Sequence, residues 1–226
     1  MCDTRERIAP LSLQTAAGAV MLTAVFIFLI PSRFFAAPET PEKLQSIGRI
    51  LPGFFLVCTL FALFILRHEK MEISRIRKTD IPVIVAAYLC AVAFPGALTS
   101  LWKNFLDICG FHAAPEQALL TFARTGSTAD FYAVVLLTVI FVPVAEEITF
   151  RRALYAMLSP FGEKTAFVLS AAGFSAAHFF LVGAPGLFVL GAIFQMTFLK
   201  TRNLSAAILV HALFNLTSLA VTRFLT

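Results

Sequence analysis

Residues Leu11 to Ile30 run for twenty positions without a charged side chain. At about 1.5 Å per helical residue such a run covers the roughly 30 Å of hydrocarbon in a bilayer. Inside lipid every backbone N–H and C=O must find its partner within the protein, so a chain built from such runs folds as a bundle of membrane helices or not at all. The run is too long for a signal-peptide core and no small-x-small cleavage site follows it, so it reads as a retained span. Composition agrees: 59% of residues are hydrophobic and 14% charged, against about 45–50% and about 25% in soluble domains.

Six further segments follow the same pattern and predict about seven spans in a single integral membrane domain, residues 1–226. They are Ile50–Leu66, Ile81–Leu101 with a kink expected at Pro95-Gly96, Phe131–Leu158, Thr165–Val182, Leu187–Leu199 and Leu204–Val221. The expected fold class is all-α, a polytopic bundle around a polar intramembrane cavity. Lys and Arg divide twelve to six between the two sides that seven spans create. The positive-inside rule then puts the N-terminus in the cytoplasm and the C-terminus across a cell (inner) membrane. The long loop Trp102 to Asp130 contains a segment from Pro115 to Arg124 that reads as a short amphipathic helix lying on the membrane surface.

The formal charge of +5 does not indicate nucleic acid, because the basic residues gather in short loops between spans rather than on one stripe. Cys2, Cys58, Cys90 and Cys109 show no Cys-x-x-Cys spacing, which argues against a metal knuckle or a disulfide framework.

Charges inside the late spans are the exception that points to function. Glu146 and Glu147 follow fifteen uncharged residues, Phe131 to Ala145, and an acidic group at the centre of a membrane helix costs roughly 2.5–3.5 kcal/mol on insertion scales. Glu147 and Arg151 stand four apart, acid first, the favourable order for a helical ion pair, which leaves Glu146 free. Pro143, three residues before Glu146, removes a backbone donor and frees a carbonyl at this depth. Phe174-x-x-x-His178 and His211-x-x-x-Asn215 place two imidazoles and an amide at helical spacing on two later spans. A lone intramembrane His or Asn is often a helix-to-helix hydrogen-bond partner. Two carboxylates, two imidazoles and an amide on three spans mark a site instead.

These three motifs, in this order over 131–225, resemble those of the CAAX protease and bacteriocin-processing enzyme family, which includes the type II CAAX prenyl endopeptidases. The resemblance implies an intramembrane endopeptidase with Glu146, His178, His211 and Asn215 as catalytic residues. Glu146 and His178 would activate water, His211 and Asn215 would stabilise the oxyanion, and Glu147 and Arg151 would support the first carboxylate. The family has been described both as glutamic and as metal-dependent, and Glu146, His178 and His211 would be the ligands of a zinc ion with an open position. The glutamic mechanism, without a cofactor, is favoured because Asn215 suits an oxyanion donor and is a poor zinc ligand. The implied partners are the lipid bilayer and a membrane-associated peptide or protein substrate. The alternative is a non-catalytic bacteriocin-immunity or membrane scaffold protein of the same family. A proton-coupled transporter is disfavoured by the lack of an inverted repeat.

Overall fold

The computed structural model describes residues 74–111, 127–178 and 180–224. The expected spans Leu11–Ile30 and Ile50–Leu66, and the amphipathic segment Pro115 to Arg124, lie outside the described residues. Among those described, the chain is helical throughout and has no strand.

The described residues form five helices that pack as a bundle. The first, α1, is Ile81–Ile108. It continues through Pro95 and seven residues beyond the expected end at Leu101, where Lys103 and Asp107 form an ion pair one turn apart at 2.7 Å. The second, α2, is an unbroken helical run over 128–158, about 46 Å long. It contains two π-helical turns, Leu136–Phe141 and Ile148–Leu154, on either side of the α-helical Val142–Glu147. Next come α3, Glu163–Ala176, α4, Ala184–Thr201, and α5, Leu204–Phe224. Among the described residues, three stretches are long and apolar enough to cross a membrane: α1 with the turn before it, α4 and α5.

The expected span Thr165–Val182 is corrected at its far end. Helix α3 stops at Ala176 after fourteen residues, about 21 Å and short of the hydrocarbon thickness. The apolar residues after it form a packed turn with Val182 buried, and apolar composition alone does not distinguish that from a continuing helix. Trp102 on α1 holds this turn by donating its indole N–H to Leu181 O at 3.0 Å.

One apolar cluster joins all five helices. Ile84 and Ala91 come from α1, Phe150 from α2, Phe174 from α3, Leu190 and Phe194 from α4, and Ala206 and Val210 from α5. Two glycines bring α4 close enough to its neighbours to complete it. A Cβ on Gly186 would stand 2.8 Å from Pro95 O and collide with the Thr99 hydroxyl, and one on Gly191 would stand 3.2 Å from Ala171 O.

The α4–α5 turn is tied to the start of α1. Arg202 there has φ 51°, a left-handed conformation that a residue with a Cβ adopts at some cost. Asn203 offsets it from the next position. Its Nδ2 donates to Arg75 O and to Asp80 Oδ2, each at 3.2 Å, while its Oδ1 accepts the Ser205 N–H at 3.0 Å and caps α5. Arg77 completes the knot by donating to Asp80 Oδ1 at 2.9 Å and to Thr201 O. Asn203→Ala is expected to cost about 1–2 kcal/mol, the upper part of the range for a lost N-cap. Unfolding in detergent by denaturant titration measures it, and an unchanged midpoint would show that the cap is dispensable.

Candidate active site

The centre of the site is the short α-helical stretch of α2 between its two π turns. In a π turn each N–H reaches back five residues, and Val142 N–H accordingly binds Leu137 O. The next donor in that register is residue 143, a proline with no N–H to give. Thr138 O is therefore left without a backbone partner, and the Asn215 amide on α5 donates to it at 2.8 Å. The carbonyl that the sequence expected Pro143 to free is this one. At the other π turn Tyr155 N–H reaches back to Phe150 O, which also accepts the Ser170 hydroxyl of α3 at 2.8 Å. The carboxylate pair thus sits between two latches, one to α5 and one to α3.

Glu147 and Arg151 form the buried ion pair that their spacing predicts. Arg151 donates from Nε to Glu147 Oε2 at 2.9 Å and from Nη2 to Oε1 at 3.3 Å, and both side chains have zero solvent exposure. The guanidinium lies 4.7 Å from the Phe174 ring centroid, 5.7 Å from Phe194 and 5.8 Å from Phe150. Three aromatic faces supply attraction away from bulk solvent, which favours a charged group there.

His211 on α5 is oriented by that pair. Its Nδ1 lies 3.0 Å from Glu147 Oε1, and the carboxylate engaged by Arg151 can only accept, so the Nδ1 proton resides on the ring. The opposite nitrogen, Nε2, then faces Glu146 Oε2 at 3.8 Å. Phe194 stacks flat on the imidazole at 4.5 Å and 19°. Glu146 is the member of the pair left free: its side chain is 13% exposed and its Oε2 is buried without a hydrogen-bond partner.

His178 stands in the turn just past α3 rather than inside a helix. Its Nδ1 lies 2.8 Å from Phe174 O, a carbonyl that can only accept, so this ring too presents Nε2 as its free nitrogen. Phe174 separates the two imidazoles, with its centroid 4.9 Å from His178 and 5.9 Å from His211. The shared face of Phe174 and His178 is as their spacing predicts. No hydrogen bond or ion pair joins His178 to Glu146 among the described residues; the imidazole beside Glu146 is that of His211.

Three polar residues of the neighbourhood carry no charge and are not identified as site partners by the sequence. Thr138 contributes only its carbonyl, and Pro143 was its one signal. Ser170 and Gln195 are fully buried, with Ser170 Oγ 3.2 Å from Gln195 Oε1 while Gln195 Nε2 has no partner. A hydroxyl has one proton, and Phe150 O takes it. Turning the Gln195 amide over makes it the donor to Ser170 and completes the chain, since amide orientation follows from the network.

The same donors bear on a metal. Each imidazole has Nδ1 engaged and Nε2 free, and a carboxylate behind a histidine is the usual support of a metal ligand. Yet among the described residues no three His, Cys, Asp or Glu side chains are gathered as a metal ion requires. Glu146, His178 and His211 in these positions do not form such a set.

Fold and site together define a helical protein with stretches apolar enough to cross a membrane, in which a carboxylate pair, an imidazole and an amide meet where α2 packs on α5. Residues 128–217 match the family model described as type II CAAX prenyl endopeptidase Rce1-like. That segment contains all six motif residues and is consistent with the CAAX protease and bacteriocin-processing enzymes. The match supports a protease. No curated protein and no solved structure matches the chain.

Proposed function

We propose that the chain is an intramembrane endopeptidase that hydrolyses a peptide bond in a membrane-associated peptide or protein, using a water activated by Glu146. The observation that carries the reading is the unpartnered Glu146 Oε2 facing His211 Nε2 at 3.8 Å, with the imidazole fixed from behind by Glu147 and Arg151. A free carboxylate oxygen in a buried site is a general base in want of a proton.

Glu146 takes a proton from water as the water oxygen attacks the scissile carbonyl carbon. The resulting oxyanion receives the second N–H of Asn215, whose first is given to Thr138 O, and the Nε2–H of His211 in its imidazolium form. In the neutral ring that nitrogen is an acceptor, so the oxyanion role requires the charged form. Collapse of the intermediate breaks the C–N bond, and the proton held by Glu146 passes to the leaving amine. His178 Nε2, free to accept, orients the attacking water. The metal-free reading rests on Asn215 as an amide donor, and cleavage that persists after exhaustive chelation is its expected outcome. The excess of basic residues on one side supports a cavity facing the cytoplasm, with the N-terminus on that side and the C-terminus opposite.

The test compares membrane-protein termini by mass spectrometry in the host, between wild type and Glu146→Ala at equal expression. Termini that vanish in the variant are expected, and they name the substrate. Identical sets of termini, under conditions where the wild type has a phenotype, would favour the non-catalytic immunity or scaffold role.

A further inference from the structure

The latch between α2 and α5 has a chemical cause that points past the six motif residues. A carbonyl in the middle of a buried helix ordinarily accepts a backbone N–H, so a side-chain donor from another helix has to share it, as Ser170 shares Phe150 O with the Tyr155 N–H. Thr138 O is unshared because the π turn assigns it to the nitrogen of Pro143, which carries no hydrogen. Thr138 and Pro143 are buried, so no bulk water is at hand to satisfy the carbonyl instead. The Thr138 hydroxyl is committed elsewhere, donating to Val134 O at 2.8 Å. Asn215 Nδ2 fills the vacancy at 2.8 Å.

This bond decides which way the amide points. A carbonyl can only accept, so Nδ2 and not Oδ1 faces Thr138, and the second N–H is aimed where the planar amide dictates. An asparagine without such an anchor turns freely and offers oxygen or nitrogen in either sense. Next to an oxyanion, the oxygen would repel what the nitrogen attracts.

We propose that Pro143 is a positioning residue of the reaction: by withholding an N–H from Thr138 O it reserves that carbonyl for Asn215 and holds the amide with its donor toward the substrate. The inference rests on the protease reading for its catalytic consequence, and on the geometry alone for the anchored amide.

The chain has three asparagines, Asn104, Asn203 and Asn215. Protein labelled with 15N-asparagine in nanodiscs therefore gives three side-chain amide pairs, and Asn215→Asp identifies the third. In the wild type one Asn215 amide proton is expected to exchange with solvent more slowly than its twin by about tenfold, the effect of one hydrogen bond. Pro143→Ala supplies a competing N–H and should reduce that difference. It should also lower kcat by about tenfold or more at unchanged KM, because the amide acts only on the transition state. Pro143→lactic acid, an ester with the shape of alanine and no N–H, should restore both, which loss of proline stiffness alone would not allow.

Two equally fast Asn215 protons in the wild type would overturn the inference without any variant. So would protection undiminished in Pro143→Ala, or an unchanged kcat where protection is reduced. If wild-type protein cleaves nothing, the protease reading fails and the positioning role with it, whereas the exchange result still decides whether Pro143 anchors the amide. The two failures are thus told apart.

Discussion

Glu146→Gln is expected to lower the rate of peptide-bond cleavage by about a thousandfold, within the range that a positioned general base contributes. The amide keeps the shape and the polarity of the side chain and removes only its basicity. Little in the fold depends on the lost charge. Glu146 Oε2 has no hydrogen-bond partner, and the His211 Nε2 that it faces stands at 3.8 Å. Unfolding midpoints should accordingly match the wild type. Single-turnover kinetics on a peptide covering a site found in the termini survey give the rate. A variant that cleaves within a few-fold of wild type would remove Glu146 from the chemistry and leave one of the imidazoles as the base.

Arg151→Met carries the largest expected effect on stability, a loss of about 3–5 kcal/mol, the cost of leaving a buried charge without its partner. Glu147 has zero solvent exposure and would keep only the His211 contact at 3.0 Å. The variant also empties the space between Phe150, Phe174 and Phe194 of the cation that their faces attract. Glu147→Gln/Arg151→Met removes both charges, and it should recover most of the loss, because an ion pair replaced by neutral groups of similar size is often neutral for stability. Cleavage should not recover with it, since His211 has then lost the carboxylate that fixes its ring. Denaturant unfolding in detergent of the two single variants and the double variant measures the coupling. Equal midpoints for Arg151→Met and wild type would show that the pair is solvated in the membrane-embedded protein.

Residues that carry charge in an apolar run were legible in the sequence, and so was their pairing. Glu147 and Arg151 stand four apart, and the ion pair forms. His211 and Asn215 stand four apart, and both reach α2, one at Glu147 and one at Thr138. Periodicity could not show which imidazole meets Glu146, because His178 lies past the end of α3 and its direction is set by a carbonyl of that helix. Nor could it show Thr138, Ser170 or Gln195 as partners, since one contributes a backbone atom and the others are uncharged residues with many uses. The end of α3 was misplaced for a related reason. A turn of apolar residues packed against Trp102 and a further turn of helix have the same hydropathy, and only the partner of each carbonyl tells them apart.

The two π turns of α2 have a practical consequence for anyone labelling this protein. Each lets one additional residue into a turn, so positions beyond it are rotated by about 100° from where an ideal α-helix would put them. A helical wheel drawn from Thr128 therefore misassigns the face of Glu146 by one residue and that of Tyr155 by two. Cysteine pairs or spin labels chosen from such a wheel to bridge α2 and its neighbours would point into lipid where contact was intended, and their failure would say nothing against the bundle.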